Sequence, residues 1–248
     1  MEGLRVENLS KSFGALAVLD NLSFEIRAEE RRVVVIGPNG AGKTTLFNLI
    51  SGELISSQGT IHLFGQDVTK MPCHRRTRLG LARTFQVTDL FPYFTLMENL
   101  LLALQAHDPC KYQMLRPLSS YDHLYEKAEQ LLKEMKLWEK KDLLISMLSH
   151  GETRLVEILL GVAASPRILL LDEPLLGLSP AYQDIVVNGT KAIRDTKGIS
   201  IIVTEQYARP VMPIIDMGYI MENGSSVLSG TKEELLDNPD VKSAYFGV

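Results

Sequence analysis

The chain has 248 residues, of which 45% are hydrophobic and 23% charged, which predicts one large or two small packed domains and argues against disorder. Its 26 basic and 30 acidic side chains leave a net charge of −4 without long blocks of one sign, which disfavours a generic nucleic-acid-binding protein. The richest apolar runs, residues 158–164 and 168–171, are too short to span a bilayer. The N-terminus has no apolar secretory core, and Cys73 and Cys110 lie far apart, so we expect reduced thiols in a chain that is not exported.

The first segment of the chain predicts an antiparallel β layer. Residues 4–9 and 18–24 are short runs rich in β-forming side chains. Gly14 and the pair Asp20-Asn21 are residue types typical of turns, so we expect turns at both places.

A βαβ organisation is predicted next. Residues 33–36 are a continuous apolar run that ends at a glycine, as in a parallel strand with both faces buried. Residues 45–51 have helical spacing, and Gly52 provides the stop. Similar buried-strand candidates at residues 168–171 and 199–203 each follow a helical stretch, which indicates a parallel sheet with crossover helices.

Residues 95–163 predict a helical insertion. Thr95 and Glu98 fit a capping box, and residues 121–135 place apolar side chains on one helical stripe, which is most simply core packing. Two prolines between these helices predict a surface loop over residues 107–120.

A phosphate-binding loop is predicted at residues 37–44, GPNGAGKT, which match GxxxxGK[ST] between a buried strand and a helix. Glycines allow backbone N–H groups to converge on phosphate oxygens, whereas a chance glycine-rich turn would lack this context. Lys43 is expected to bridge the β- and γ-phosphates, and the Thr44 hydroxyl to ligate Mg²⁺. The residues predicted to contact the nucleotide here are Gly37, Pro38, Asn39, Gly40, Ala41, Gly42, Lys43, Thr44 and Thr45.

Two adjacent carboxylates follow the apolar run of residues 168–171, at the strand end where α/β sheets place their ligands. Asp172 is suited to hold the Mg²⁺ shell directly or through water, and Glu173 to polarise a water molecule aimed at the γ-phosphate. The alternative is a helix-capping acid pair ahead of Pro174. Because neighbouring strand residues point to opposite faces, we expect the two acids to differ in role.

Three further motifs follow in a fixed order, and with them the chain resembles the ATP-binding cassette (ABC) ATPase family over its whole length. Residues 148–152 resemble the family signature, Gln86 resembles the Q-loop, and residues 178–180 occupy the D-loop position. The resemblance implies an α/β P-loop NTPase fold: a mostly parallel core sheet, an antiparallel β layer and a helical subdomain. It further implies one domain, residues 1–248, divided into a core with β layer (1–94 and 164–230), a helical subdomain (about 95–163) and a C-terminal helical tail (231–248).

Cassettes of this family bind two ATP molecules head to tail between two copies, and each signature closes over its partner's nucleotide. The resemblance therefore implies nucleotide contacts for Ser149, Gly151 and Glu152. A helix N-terminus at this point can face an anion, although Ser149 alone reads as an N-cap, and both roles can hold together. His150 stands where many members have glycine, so we expect it to have a packing or solvent role.

The resemblance adds two further ligand residues. Phe13 resembles the aromatic residue that stacks on adenine, with a core phenylalanine of the β layer as the alternative. Gln86 is implied to ligate Mg²⁺ and to relay the nucleotide state to a membrane partner docked on the helical insertion.

Gln206 marks a departure from the family pattern, because most members have a switch histidine there. Its amide can bond the γ-phosphate or the attacking water, but it does not titrate near neutral pH. We therefore assign Glu173, Lys43 and Gln206 to catalysis, with proton handling resting on Glu173 or on the phosphate. Ser179 also replaces a frequent acid in the D-loop.

Within the family, residues 81–86, 149–152 and 241–247 resemble the ATP-binding subunits of importers for branched-chain amino acids and of their amide and urea relatives. Those importers pair two different ATPase subunits. The residues around Gln86 resemble one subunit of the pair, whereas residues 205–206 and 222–230 resemble the other. The choice between the two subunits, or a divergent substrate class, therefore stays open.

The implied partners are a second ATPase subunit, identical or not, membrane permease chains and, indirectly, a solute-binding protein, at the cytoplasmic face of the membrane; no nucleic acid is expected. The permease groove is expected near residues 87–101, where Phe91, Tyr93 and Phe94 either recognise the partner or close the core. Two alternatives are the ATPase of a lipid or lipopolysaccharide exporter and a soluble ABC ATPase unconnected with transport.

Overall fold

The computed structural model describes residues 2–27, 32–84, 90–113, 117 and 120–246. Within these ranges a four-stranded sheet has the order β2-β1-β4-β5, and a six-stranded sheet has the order β10-β9-β3-β8-β7-β6. The strands are β1 (Glu2–Phe13), β2 (Leu16–Arg27), β3 (Arg32–Ile36), β4 (Gln58–Leu63), β5 (Gln66–Asp67), β6 (Leu81–Arg83), β7 (Ile168–Asp172), β8 (Ser200–Glu205), β9 (Met217–Glu222) and β10 (Ser225–Thr231). The helices are α1 (Lys43–Ser51), α2 (Cys73–Leu79), α3 (Leu96–His107), α4 (Asp122–Glu134), α5 (His150–Ala163), α6 (Pro180–Lys197), α7 (Lys232–Asp237) and α8 (Pro239–Val241).

The smaller sheet is antiparallel, as predicted, but one expected turn is wrong. Asp20 and Asn21 lie inside β2, where Asn21 has φ 51°. The register between β1 and β2 shifts between Leu9 and Lys11, so this part of β2 forms a bulge. Asparagine tolerates the left-handed conformation, and the turn-like residues therefore kink the strand without ending it.

The larger sheet has a parallel core, which confirms the βαβ prediction. Strands β9, β3, β8, β7 and β6 run parallel in that order, and β10 is antiparallel at one edge. Both faces of β3 are covered: Val34 and Ile36 belong to one hydrophobic core, and Val33 and Val35 to the other. The parallel strands bring the ends of β3, β7 and β8 to one edge of the sheet.

Three helix starts use the same local device. Thr95, Ser149 and Thr231 each accept a hydrogen bond from the residue three positions later, whose glutamate side chain bonds back. These capping boxes satisfy N–H groups that a helix start leaves free. The box predicted at Thr95 is confirmed. Among the described residues, no helix is long and apolar enough to cross a membrane.

The segment predicted as a surface loop, residues 107–120, is more ordered than expected where it is described. A 3₁₀ helix, Pro109–Tyr112, follows α3 and buries Cys110, which is 4% exposed and belongs to the hydrophobic core that contains Val34 and Ile36. Asp108 caps this turn by accepting from the Cys110 N–H at 2.9 Å. Residues 114–116 and 118–119 lie outside the described ranges. Both cysteines are free thiols, Cys73 at the surface.

Candidate active site

The glycine loop between β3 and α1 is built by close backbone packing. Gly42 has φ 97°, and a Cβ atom there would lie 2.7 Å from Leu19 Cδ2, so only glycine fits. At the start of the loop, the Gly37 N–H donates to the carbonyl of Glu205 at 3.2 Å. The loop therefore lies in close contact with β2 of the smaller sheet and with β8 of the larger sheet.

This loop surrounds a cavity of about 310 Å³. The cavity is lined by Val18, Asn39, Gly40, Ala41, Gly42, Lys43, Thr44, Thr45 and Glu173. Lys43 is 4% exposed, and its ammonium donates to the carbonyls of Gly37 at 2.6 Å and Pro38 at 3.1 Å. Residues 39–45 of the predicted phosphate loop therefore line the cavity, whereas Gly37 and Pro38 do not line it and contact Lys43 through their carbonyls.

The two acids at the end of β7 turn to different partners. Glu173 Oε1 lies 3.3 Å from Lys43 Nζ, beside the cavity. Asp172 Oδ1 accepts from the Thr204 hydroxyl at 2.7 Å, and Oδ2 from Arg83 Nη2 at 3.0 Å. The helix-capping alternative is wrong, because α6 begins only at Pro180.

Glu173 adopts a conformation that is rare for residues other than glycine, with φ 45°. Its N–H donates to both the carbonyl and the hydroxyl of Thr204, each at 3.1 Å. These bonds hold the turn and direct the carboxylate to Lys43. The geometry fits a carboxylate held ready beside a phosphate site.

A third acid, Glu205, lies behind the site and is 7% exposed. Its Oε1 accepts from the Leu175 N–H at 3.0 Å. Burial, with a smaller contribution from the charge of Glu173, raises the pKa of Glu205 to about 7, although the Leu175 hydrogen bond and Lys43 oppose the shift. Gln206 follows directly and is partly exposed, but it does not line the cavity.

The signature segment places Ser149 at the N-cap of α5. The Ser149 hydroxyl accepts from the Glu152 N–H at 3.4 Å, and the Glu152 carboxylate accepts from the Ser149 N–H at 3.0 Å. The same carboxylate is ion-paired with Lys140. Glu152 was predicted to contact nucleotide, but in this structure its carboxylate serves the helix start. His150 is exposed, in agreement with a solvent role.

Gly151 is a packing position on α5. A Cβ atom there would lie 2.5 Å from Cδ1 of Tyr182, on α6. None of Ser149, Gly151 and Glu152 lines the phosphate cavity of this chain. A nucleotide contact by the signature would therefore involve another copy.

Of the two further residues predicted to contact the nucleotide, the structure describes Phe13 but not Gln86. Phe13 is 46% exposed, with Lys11 Nζ 5.0 Å from its ring centroid, so the alternative of a core phenylalanine is wrong. Its role against adenine stays a prediction. Gln86 lies outside the described residues.

The predicted magnesium donors include the Thr44 hydroxyl and the Asp172 carboxylate, which are oxygen ligands that Mg²⁺ prefers. Of these two, Thr44 lines the cavity, whereas Asp172 is buried behind it. Among the described residues, His, Cys, Asp and Glu form no cluster of three that could hold a metal on its own. Both Asp172 oxygens already accept hydrogen bonds from protein groups, which suits contact through water.

Sequence reasoning missed Arg83, Thr204 and Glu205. Arg83 lies within the motif of residues 81–86, and a charged residue at the end of a short apolar strand is the signal that could have singled it out. Thr204 and Glu205 were placed beyond the strand predicted over 199–203, whereas β8 extends through both. Their role follows from the parallel pairing of β8 with β3 and β7.

A comparison with known families identifies the fold and the chemistry together. The family model described as ABC transporter matches residues 19–176, which include the phosphate loop, the signature and the acidic strand end. This chain belongs to the ABC transporter family. The family prediction made from the motifs is confirmed, and the chain is an ATP-binding ATPase.

Relatives of this ABC ATPase match over nearly the full length. The high-affinity branched-chain amino acid transport ATP-binding protein BraF of Pseudomonas aeruginosa is 35% identical, covering 98% of this chain and 97% of BraF. The lipopolysaccharide export system ATP-binding protein LptB of Haemophilus influenzae is 33% identical, covering 100% and 98%. The ADP conformation of MJ1267, an ATP-binding cassette of an ABC transporter, superposes with a TM-score of 0.85 at 30% identity, covering 100% of both chains. The predicted fold class is confirmed.

Proposed function

We propose that this ABC ATPase dimerises around two ATP molecules at the cytoplasmic face of a membrane and powers an importer for branched-chain amino acids or related small polar solutes. The full-length similarity to BraF supports the importer assignment. The main structural support for hydrolysis is the contact between Lys43 and Glu173 at the wall of the phosphate cavity.

The proposed hydrolysis assigns a role to each side of the cavity. The loop N–H groups and Lys43 bind the β- and γ-phosphates, and Glu173 accepts a proton from the attacking water. Gln206 orients that water or the γ-phosphate through its amide. Thr44, Gln86 and Asp172 would hold Mg²⁺, which supplies positive charge to the phosphate oxygens when bound. The ring of Phe13 stacks on adenine.

The signature acts in trans in this proposal. Ser149 and Gly151 lie at the start of α5 and do not line the cavity of their own chain. A helix N-terminus attracts anions, so in a head-to-tail dimer it would cover the γ-phosphate held by the second subunit. Glu152 supports this helix start and contributes to the nucleotide site through it.

The proposed permease groove lies beside β6 and α5. A cavity of about 300 Å³ there is lined in part by Arg83, Leu90 and Glu157. Within the described part of the chain, Glu157 Oε1 is buried without a hydrogen-bond partner, which supports a polar contact supplied by another chain. Phe91 and Tyr93 are 53% and 83% exposed, so these aromatic side chains do not close the core. Permease segments are the proposed occupants.

A second candidate is the ATPase of a lipopolysaccharide or lipid exporter, because LptB is similar at almost the same identity and over the whole chain. Both candidates are transport ATPases, and the relatives named above give no support to a soluble ABC ATPase unconnected with transport. The cassette contacts ATP and permease rather than solute, so permease identity decides between them.

The test is purification of the chain with its membrane partners from native membranes, followed by reconstitution into proteoliposomes. Importer permeases and ATP-dependent uptake of leucine, isoleucine or valine would support the proposal. Lipid-exporter subunits would favour the second candidate. A purified chain that neither binds nor hydrolyses ATP would contradict both.

A further inference from the structure

Arg83 occupies a junction that the predicted site does not include. It is the last residue of β6, where it pairs with Leu170 of β7. The Thr84 N–H continues this ladder by donating to the Leu170 carbonyl at 3.0 Å. Arg83 therefore lies three residues before Gln86 in the sequence and directly beside the acidic end of β7 in the fold.

The guanidinium of Arg83 joins three elements. Its Nη2 donates to Asp172 Oδ2 at 3.0 Å, and its Nη1 donates to Asn48 Oδ1 at 2.5 Å. Nη1 also lies 3.2 Å from Glu53 Oε1 and 3.3 Å from Ser51 Oγ. The side chain is 9% exposed, so these contacts are largely shielded from solvent. A planar fork that bonds several acceptors at once is specific to arginine.

Asp172 depends on this arrangement. Its side chain is fully buried, and its two oxygens are held by Arg83 and by the Thr204 hydroxyl. A buried carboxylate without a cationic partner is strongly unfavourable. The Arg83 bond therefore fixes the orientation of the carboxylate that is predicted for the magnesium site.

The other arm of Arg83 reaches α1, the helix that begins with Lys43 and Thr44. Asn48 lies one turn further along this helix. Arg83 thus ties the body of the phosphate-loop helix to the carboxylate at the end of β7. Arg83 and Glu53 also line the cavity of about 300 Å³ beside β6. The Arg83 Nε–H is buried there without a hydrogen-bond partner among the described residues.

We propose that Arg83 is a positioning residue of the metal site: it orients Asp172 toward the Mg²⁺ shell and connects that carboxylate, through α1 and Glu53, to the wall of the neighbouring cavity. Arg83 touches neither phosphate nor metal in this role. The inference rests on the proposed Mg²⁺-ATP site and adds a residue that sets its affinity for the metal. Outer-shell partners of this kind typically change metal affinity by about 10- to 100-fold when removed.

The test uses the full chain carrying Glu173→Gln, so that bound nucleotide persists, and Mn²⁺ as a spectroscopic probe. Free Mn²⁺ is measured by electron paramagnetic resonance in a metal titration with ATP equimolar to the chain, because excess ATP would itself bind Mn²⁺. Arg83→Gln is expected to weaken Mn²⁺ binding by about 10-fold or more. ATP binding measured in EDTA is expected to change less than about twofold, because a positioning effect on the metal leaves the base and loop contacts intact.

A matched variant serves as the control. Arg78→Gln removes an exposed arginine on α2. It is expected to keep Mn²⁺ affinity within about twofold of the parent, because Arg78 is not one of the residues that hold Asp172. If Arg83 only stabilised the fold, Arg83→Gln would lower the unfolding midpoint without changing the affinity for Mn²⁺.

Unchanged Mn²⁺ affinity in folded Arg83→Gln overturns the inference. If that variant does not fold, Arg83→Lys decides, because it keeps the charge but cannot bond Asn48 and Asp172 through a rigid fork. It is expected to weaken Mn²⁺ binding about threefold or more, and unchanged affinity overturns the inference equally. A parent that binds no ATP at all would instead contradict the proposed function.

Discussion

The carboxylate of Glu173 lies 3.3 Å from the ammonium of Lys43, although the two residues belong to separate parts of the sequence. Lys43 also bonds two carbonyls of its own loop, so it connects the glycine loop to the acidic strand end. This contact defines where a γ-phosphate and an attacking water would meet. Glu173→Gln should separate binding from hydrolysis.

For Glu173→Gln, we expect ATP turnover to fall by about 100-fold or more, because a carboxamide cannot accept the proton of the attacking water. ATP affinity should stay within a few-fold, and the variant should form an ATP-dependent dimer detectable by light scattering. Turnover close to that of the parent would place the general base elsewhere.

Gln206→Ala should slow hydrolysis more than it weakens ATP binding. Loss of one hydrogen bond formed to the water or γ-phosphate in the transition state predicts a decrease in kcat of about tenfold or more with little change in KM. Steady-state kinetics measure both constants. Gln130→Ala, an exposed position on α4, is the matched control. If Gln206→Ala and Gln130→Ala had equal kcat values, Gln206 would have no role in ATP hydrolysis.

The raised pKa of Glu205 predicts that the folding stability depends on pH. Its pKa in the folded chain is about 7, above the ordinary value of 4.5, so the folded state holds a proton that the unfolded state releases between these values. The stabilisation is therefore complete below about pH 4.5 and is lost as the pH rises through about 7. Glu205→Gln should flatten this part of the profile in urea unfolding at pH 5.5, 7 and 8.5, whereas exposed Glu126→Gln should not. Parallel profiles for parent and Glu205→Gln would contradict the assignment.

Phe13→Ala should weaken ATP binding without a large loss of stability. A base stacked on an aromatic ring gains about 1–3 kcal/mol, which corresponds to a loss of about fivefold or more in affinity. Because Phe13 is 46% exposed, the unfolding midpoint should change little. Leu16→Ala, on a neighbouring residue that is 66% exposed, is the control in a titration with a fluorescent ATP analogue. Equal affinities would exclude adenine stacking at Phe13.

Gly151→Ala should destabilise the start of α5. The new Cβ would meet the Tyr182 ring 2.5 Å away, and overpacking of this kind costs about 1–3 kcal/mol. The double variant with Tyr182→Ala should be more stable than the sum of the two single changes predicts, which a double-mutant cycle in urea would measure. Simple additivity would mean that the clash relaxes without cost.

Local patterns explain which parts could be predicted from sequence. The glycine loop is set by spacing within residues 37–44, and the capping boxes at Thr95 and Thr231 by side chains three positions apart. Asp20-Asn21 was misread because a bulge and a turn favour the same residue types.

The Arg83–Asp172 contact could not be predicted in this way. It joins residues 89 positions apart, and it exists because β6 and β7 are parallel neighbours. The burial of Glu205 likewise depends on how far β8 extends. The short motifs that contain Arg83 and Glu205 do not specify the order or the length of the strands.

Strand β8 also has a mechanical consequence. The Glu205 carbonyl accepts from the Gly37 N–H, and the Thr204 carbonyl accepts from the Glu173 N–H. The span between the start of the glycine loop and Glu173, the proposed general base, is therefore set by main-chain hydrogen bonds to two adjacent residues of a single strand. Gln206 follows these two residues directly.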